Sequence, residues 1–360
     1  MARSAIRPTT PADAPALAAL MAEVGLRPNS EPAHLDWKYW RERPDWPGPR
    51  SFVMARGDEI LAHAAFIPGA CLVCGPGSRA QGSHAQGSPT QRVRTRHVID
   101  WAARSTATGA GVSLMKYLGQ GTDALLAIGG SAQTRQLLPH LGFRAAGKAG
   151  CFVRTLHPLR ILTRSQYPAV KLLPRLARSA YWKMRAPSGY GDDWRAHHIG
   201  PGELPAFEAV LPTPRLGLAV FERSAGLFRY ALECPIATMG LYALEKAGQV
   251  RGYFLLAFAL RQARLADCWI DSDDPAQWSA LIQCAAATAS EHPDAAELAA
   301  WASDEPMAQR LRECGFHERD ELPVKVLAAR NPELTESMLR VQMLDNDAAY
   351  RHPGRNEFWA

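Results

Sequence analysis

The sequence of 360 residues contains no run of about 18 apolar residues, so its pattern excludes a membrane-spanning helix. The first residues, MARSAIRPTTPADAPAL, lack the apolar centre of a secretory signal peptide, and we therefore expect a cytoplasmic protein. Zinc-finger, helix-turn-helix and RNA-binding patterns are absent, and outside one cluster the basic residues are scattered. Nucleic acid is therefore not expected as a partner.

Cysteine is used sparingly and in an odd number, since the chain has seven, spread through apolar stretches. This usage favours reduced, mostly buried thiols over disulfides. Cys71 and Cys74 form one CxxC, but no second pair of ligands has matching spacing, so no metal site is expected. The net charge of +6 is compatible with an anionic cofactor or an anionic membrane surface. The length favours two domains.

The most informative stretch is 98–118, VIDWAARSTATGAGVSLMKYL. Val98 to Ala102 is an apolar run that predicts a buried strand. Gly109-Ala110-Gly111 follows, and apolar residues then recur at helical spacing. A glycine-rich turn that opens a helix presents unpaired backbone N–H groups in front of the helix dipole. The stretch therefore predicts a site for a phosphate group, as found in nucleotide and coenzyme A proteins.

The residues in and after this turn distinguish nucleotide-binding patterns from coenzyme A-binding ones. No Gly-Lys-Ser/Thr follows the glycines, and the three-glycine dinucleotide pattern is absent. The stretch resembles the acyl-CoA loop of the GCN5-related N-acetyltransferases (GNAT), Arg/Gln-x-x-Gly-x-Gly/Ala, which joins the fourth strand to a helix. Gly109 and Gly111 match its glycines, whereas Thr106 and Thr108 stand where basic or amide side chains are common. The turn of this chain therefore has the backbone N–H groups of the family's loop but lacks its charged side chains.

The order of predicted elements in the first half extends the resemblance. It reads β-α-β-β-β-(glycine turn)-α-β-α-β, and Leu141-Gly142-Phe143 closes the second helix as in that family's second characteristic region. The resemblance implies that the fourth and fifth strands splay apart and that acetyl-CoA, or another acyl-CoA, enters the gap. It also implies that the backbone of Trp101, Ala102 and Ala103 pairs with the pantetheine arm. The pyrophosphate would be held by Thr108, Gly109, Ala110, Gly111 and Val112, and Ser131 would lie beside the arm.

Acyl transfer to an amine needs a proton acceptor, a proton donor for the thiolate and a polarised carbonyl. The tyrosine that the family often carries on the second helix is replaced here by Leu138. His140 is the nearest titratable substitute, and Asp100 could act as a base through water. Each also has a purely structural interpretation, His140 as a helix-end residue and Asp100 as a hydrogen-bonded carboxylate.

The second half repeats the first. LFRYALECP (227–235) aligns with DWKYWRERP (36–44), and Cys314-Gly315-Phe316 repeats the Leu-Gly-Phe motif. In place of the glycine pair stands SDDPAQW, where Asp273 and Asp274 would repel a phosphate. We therefore expect an α/β (α+β) fold of two tandem GNAT-like domains, each a mixed, mostly antiparallel sheet flanked by helices, the second degenerate. The expected blocks are 1–157, a linker helix 158–190, 191–330 and a tail 331–360.

Three further segments have two interpretations each. The stretch 75–91, rich in Gly, Ser and Gln, is a linker or a substrate lid. Arg92, Arg94 and Arg96 alternate along a predicted strand, either as a solvated face or as a row near CoA phosphates or an acidic acceptor. The segment 158–186 holds seven basic residues and no acid, and it is either a helix packed across two domains or one lying on an anionic membrane.

Two functions follow from these observations. The first is an acyl-CoA-dependent N-acyltransferase, most simply an acetyltransferase, acting on a small-molecule or glycan amine. Tandem relatives of this general appearance suggest an amino sugar of a surface polysaccharide as the acceptor. The second is a non-catalytic acyl-CoA-binding or scaffolding protein, suggested by the missing tyrosine and the uncharged loop.

Overall fold

The computed structural model describes residues 4–26, 31–74, 90–164, 169–187, 189–191, 193–200, 202–259, 261–328 and 330–350. It divides into two compact units, each drawn from three stretches of chain. Unit 1 comprises Met1–Gly147, Pro214–Glu222 and Pro323–Leu339, and unit 2 comprises Lys148–Thr213, Arg223–Leu322 and Arg340–Ala360. The units therefore interleave along the chain, whereas the boundaries expected from the sequence divide it into consecutive blocks.

The strands are β1 Ala5–Pro8, β2 Ser51–Arg56, β3 Glu59–Cys74, β4 Thr90–Ala103, β5 Ala124–Ile128, β6 Arg144–Thr155, β7 Trp194–His198, β8 Leu218–Phe221, β9 Thr238–Lys246, β10 Gln249–Ala259, β11 Gln262–Ile270, β12 Glu297–Ala302, β13 His317–Leu327 and β14 Met338–Arg340. The helices are α1 Ala14–Glu23, α2 Pro32–Leu35, α3 Ala110–Leu118, α4 Ala132–His140, α5 Pro158–Arg164, α6 Ala169–Arg185, α7 Ala225–Leu232, α8 Pro275–Glu291, α9 Glu305–Glu313 and α10 Pro332–Glu336. A π-helical turn, Asp36–Trp40, follows α2.

The sheet of unit 1 has the strand order β1-β2-β3-β4-β5, with the end of β13 beside β5. Neighbours are antiparallel except β4 and β5, which run parallel. β2 and β3 form a hairpin, with Gly57 at a φ of 57° in its turn. The strand beside β5 is Val324–Leu327, so a segment from late in the chain completes this sheet.

Both faces of the unit 1 sheet are covered. On one face α3 packs Leu114 and Leu118 against Phe66 and Leu125. On the other, α1 packs Leu17 and Leu20 in a cluster that includes Ala102 of β4. Because successive residues of a strand face opposite sides, β4 contributes to both layers.

Unit 2 has the strand order β7-β9-β10-β11-β12-β6, again with a single parallel pair among its described strands, β11 and β12. Its core combines α8 and α9 with this sheet, through Leu281, Leu311 and Phe316 among others. β6, from the first half of the chain, pairs antiparallel with β12 from Gly150 to Thr155.

The structure also locates parts of the Gly- and Ser-rich stretch, the basic segment and the tail. The Gly- and Ser-rich stretch lies outside the described residues from 75 to 89, and its last two residues begin β4. The basic segment forms α5 and α6, and the tail is described as far as Tyr350. Among the described residues, no helix combines the length and apolar character needed to cross a bilayer.

Candidate functional site

A gap opens in unit 1 between β4 and β5. The two strands pair from Thr95 to His97 on β4 and from Ala124 to Leu126 on β5. Beyond these residues, within the described chain, β4 continues to Ala103 without a pairing partner on its β5 side, while β5 pairs with β13 on its other side. The splay expected from the sequence is thus present, and it exposes strand backbone to a ligand.

The turn that closes this gap begins α3. Gly109 caps the helix with a φ of 81°, a left-handed conformation that glycine adopts without strain, and no atom lies within 4 Å of a Cβ built there. The Ala110 N–H donates to Ala107 O at 3.1 Å. The next N–H groups, of Gly111 and Val112, are in the first turn of the helix and have no acceptor within it. They are the groups that the glycine pattern predicts to bind an anion.

Gly111 is held against the end of β4. The Trp101 indole Nε1 donates to Gly111 O at 3.0 Å, and a Cβ on Gly111 would lie 3.1 Å from that nitrogen and 3.3 Å from the Ala103 Cβ. Only glycine fits here without displacing its neighbours. The turn and the end of β4, both predicted to contact the cofactor, are therefore locked together, while Thr106 and Thr108 are exposed.

Ser131 starts α4 on the far side of the gap. Its Oγ accepts from the Thr134 N–H at 3.1 Å and therefore caps the helix. Gly129 and Gly130, which precede it, both have positive φ, and a Cβ on Gly130 would lie 2.9 Å from Thr134 Cγ2. The strand–turn–helix is thus tightly built at the end of β5.

Asp100 lies in a β-bulge of β4. Ala65 pairs with Ile99 and His63 with Ala102, so β4 carries an extra residue there, and Asp100 has a φ of 50°. Its buried carboxylate Oδ2 lies 2.6 Å from Lys38 Nζ and accepts from Tyr39 Oη at 2.7 Å. Burial opposes ionisation, but Lys38 and Tyr39 outweigh it and lower the Asp100 pKa to about 2. The carboxylate is therefore charged at neutral pH.

A buried hydrogen-bonded chain continues from the same bulge. His63 Nδ1 is 3.0 Å from Asp100 O, and its Nε2 is 2.8 Å from Ser51 Oγ, which accepts from Thr9 Oγ1 at 2.7 Å. Burial lowers the pKa of His63 to about 4, so the imidazole is neutral at pH 7.

Replacing His63 with glutamine is expected to reduce the loss of unfolding free energy between pH 7 and pH 4. His63 titrates at about 4 when folded and about 6.5 when unfolded, so its contribution is complete above pH 6.5 and is lost as the pH falls toward 4. The wild type should therefore lose up to about 3 kcal/mol more than His63→Gln between pH 7 and pH 4. Urea unfolding at both pH values measures this difference. Equal losses in the two proteins would contradict the assignment.

The other sequence-predicted groups lie apart from this cluster. His140 is exposed at the end of α4, and Leu138, in the place of the expected tyrosine, is buried. The arginine row on β4 engages the protein's own groups. Arg92 binds Glu222 at 2.7 Å, Arg94 approaches Asp123 at 3.5 Å and Arg96 donates to Leu118 O at 2.8 Å.

Unit 2 has a corresponding gap, but its own chain fills it. β11 and β12 pair only from Gln262 to Leu265 on β11. Beyond that point the side chain of Gln342 enters, its Oε1 accepting from the Cys268 N–H at 2.8 Å and its Nε2 donating to Asp267 at 2.7 Å. At the following helix, the Asp274 carboxylate accepts from the Ala276 N–H at 2.9 Å and so caps the end where an anion would bind.

Asp267 also lies at a bulge, where β11 carries an extra residue opposite Leu255–Leu256. It forms a fully buried cluster with Arg223, whose Nη2 lies 2.7 Å from Asp267 Oδ1 and 2.8 Å from Asp345 Oδ1, and with Tyr253 Oη, which donates at 2.6 Å. Burial raises the pKa of Asp345 to about 6, although Arg223 opposes this shift.

The sequence and the fold of this chain can be compared with those of known proteins. No family model matches the sequence, and no curated protein does either. Among solved structures, a GCN5-related N-acetyltransferase from Anabaena variabilis matches 92% of this chain and 74% of its own at 12% identity, with a TM-score of 0.56. One from Kribbella flavida matches 92% and 72% at 15% identity, with a TM-score of 0.54. Saccharomyces cerevisiae N-myristoyltransferase, solved with bound myristoyl-CoA, matches 91% and 83% at 11% identity, with a TM-score of 0.58.

The chain has the GNAT fold. The expected fold class, a mixed and mostly antiparallel sheet flanked by helices, is therefore confirmed. The glycine turn, the splayed strands β4 and β5, and the bulge of β4 all lie in unit 1.

Sequence reasoning missed the groups that surround Asp100. Lys38 and Tyr39 lie in the stretch 36–44, from which the sequence indicated only the alignment of the two halves, and His63 lies in β3. A lysine enclosed by Trp37, Tyr39 and Trp40 was the available signal, because a buried cation requires an anionic partner. Among the described residues, no group of three or more His, Cys, Asp or Glu could hold a metal ion, and Cys71 and Cys74 form no disulfide.

Proposed function

We propose that unit 1 is an acyl-CoA-dependent N-acyltransferase, with acetyl-CoA as its simplest donor. The observation that carries this proposal is the turn Gly109–Val112, which presents helix N-terminal N–H groups at the edge of the gap between β4 and β5. The relatives in fold support it, since two are named as N-acetyltransferases and one was solved with an acyl-CoA.

The residues of this chain fit such a donor. In the proposal, Thr108, Gly109, Ala110, Gly111 and Val112 hold the pyrophosphate through their backbone, because a helix N-terminus favours an anion. The backbone of Trp101, Ala102 and Ala103 faces the gap and pairs with the pantetheine arm, and Ser131 lies beside it. Acyl-CoA supplies the thioester, and the protein orients it toward the amine.

A proton acceptor is also required, and Asp100 and His140 remain the two proposed groups. Asp100 sits in the bulge of β4 beside the gap, and its low pKa keeps it charged, so it can attract a cationic amine. It is proposed as the base through water, although a carboxylate with a pKa of about 2 holds a proton only weakly at neutral pH. His140 is exposed on α4 and offers a variant that disturbs no packing.

Asp100→Asn is expected to lower kcat/KM about 100-fold, whereas His140→Gln should change it less than about threefold, since positioned acid–base groups typically contribute at least 100-fold. Steady-state rates of thiol release measure both, with circular dichroism confirming that each variant is folded. The reverse order of effects would assign the proton transfer to His140.

We further propose that unit 2 is a degenerate repeat of unit 1. Each unit has one parallel strand pair that splays, and a bulged strand carrying a buried aspartate that binds a cation and a tyrosine hydroxyl. Gln342 and Asp274 take the places that pantetheine and phosphate would have, so donor binding is assigned to unit 1 alone.

The proposed acceptor is a primary amine, and an amino sugar of a surface polysaccharide is the class predicted from the sequence. Isothermal titration with acetyl-CoA and with myristoyl-CoA tests the cradle and the acyl length. Thiol release against amino sugars, polyamines and peptide N-termini then tests transfer. No binding of either acyl-CoA would overturn the proposal.

A non-catalytic acyl-CoA binder is the second candidate. Two observations favour it, namely the buried Leu138 in place of the family's tyrosine and the engagement of Asp100 by Lys38. Tight binding of acyl-CoA without thiol release from any amine would select this function.

A further inference from the structure

An apolar stripe runs along the outer side of α6. Val170, Leu173 and Met184 are 79%, 72% and 77% exposed, and Tyr181 is 49% exposed. Pro174 and Ala177 are exposed between them, so residues at intervals of three and four positions form one continuous line. Large apolar side chains aligned in this way differ from scattered exposed residues and mark an interaction surface.

The opposite side of α6 fixes the helix in unit 2. Ser179 is buried, and the Trp182 ring stacks on His317 with centroids 4.0 Å apart. Trp182 also packs against a cluster that contains Val153 and Ile161. The stripe is therefore the outward face of an anchored helix.

Cations flank the stripe and no anion accompanies it. The segment 158–186 contains seven Lys and Arg residues and no Asp or Glu. Lys183 and Arg185 are exposed and stand on either side of the stripe residue Met184 in sequence, so each borders the stripe. Arg185 donates to Tyr181 Oη at 2.6 Å, whereas the Arg178 guanidinium turns inward, with Nε and Nη2 buried and its carbon 4.9 Å from the Trp182 ring centroid.

We propose that this face of α6 rests on an anionic lipid bilayer, with the apolar stripe in the acyl boundary and the exposed Lys183 and Arg185 among the headgroups. An apolar stripe with a cationic border and no acid is complementary to such a surface. A second copy of the helix would place like charges together, and nucleic acid would leave the apolar stripe in water. Docking through α6 is independent of acyl transfer by unit 1.

Vesicle co-sedimentation of the full chain tests this surface. The protein should sediment with vesicles of phosphatidylcholine and phosphatidylglycerol at 7:3 (about 30% anionic lipid) and remain in the supernatant with phosphatidylcholine alone. Raising NaCl from about 0.05 to about 0.5 M should release most of it, because the Debye length shortens severalfold.

Two pairs of variants locate the contact. Leu173→Asp should weaken partitioning about tenfold, whereas Leu216→Asp, the same change at a leucine that is 67% exposed in unit 1, should not. Arg185→Glu should weaken it about fivefold or more, whereas Arg135→Glu, at an exposed arginine of α4, should not.

Equal effects of a variant and its control, or binding that ignores lipid charge, would overturn the assignment. So would salt-sensitive binding to a fluorescent oligonucleotide without any vesicle sedimentation, which would identify the surface as a nucleic-acid site.

Discussion

Gly109→Asp is expected to lower acyl-CoA affinity at least about 100-fold and so to abolish binding heat at micromolar concentrations. The reason is charge rather than shape. Gly109 has a φ of 81° with open space around its Cα, so an added carboxylate would stand beside the diphosphate. One pair of like charges 4 Å apart costs roughly 1 kcal/mol in water and about 4 kcal/mol near a protein surface.

Gly109→Asn is the matched control for this substitution. Asparagine has nearly the same shape as aspartate and tolerates a left-handed φ, but it carries no charge. The affinity of Gly109→Asn for acyl-CoA should fall no more than about threefold. Gly248→Asp controls for the fold, since Gly248 is a hairpin glycine of unit 2 with a φ of 78° and nothing within 4 Å of its Cβ position. Similar losses for the asparagine and aspartate variants would mean that the turn does not hold a phosphate.

Arg223→Met is expected to reduce the free energy of unfolding by about 3–5 kcal/mol. The substitution leaves Asp267 and Asp345 buried without their cation, and an uncompensated buried charge is among the most destabilising changes known. Chemical unfolding followed by tryptophan fluorescence measures the loss. The deficit should shrink as the pH falls from 8 toward 5, because Asp345, whose pKa burial raises to about 6 even beside Arg223, is then protonated in the folded variant.

Arg92→Met provides the exposed counterpart. Arg92 contacts both carboxylate oxygens of Glu222, through Nε to Oε1 at 3.0 Å and Nη2 to Oε2 at 2.7 Å, but the two side chains are 52% and 37% exposed. Its removal should cost less than about 1 kcal/mol. Comparable losses for Arg92→Met and Arg223→Met would show that burial does not set the strength of the Arg223 cluster.

The turn at Gly109 could be predicted from the sequence because its information is local. A strand, two glycines and a helix follow one another within 98–118, and each is recognisable from its neighbours. The same holds for the Leu-Gly-Phe end of α4 and for the hairpin at Gly57, whose strands are adjacent in the chain.

The polar clusters could not be predicted in this way, because their members are distant in sequence. Asp100 meets Tyr39, which precedes it by 61 positions, and Gln342 reaches Cys268 across 74. Nothing near Gln342 indicates that its amide enters a strand gap. The pairing of β5 with Val324–Leu327 is equally remote, so consecutive blocks were the natural expectation from sequence alone.

This late strand affects how the protein is made. A ribosome releases Ala124–Ile128 long before it translates Val324–Leu327, and during that interval the nascent β5 has an open hydrogen-bonding edge. Unit 1 can therefore reach its final sheet only after Val324–Leu327 has been translated. A nonsense mutation between the codons of Ile128 and Val324 would leave the N-terminal portion with an uncovered edge strand prone to aggregation, although all its glycine-turn residues would be present.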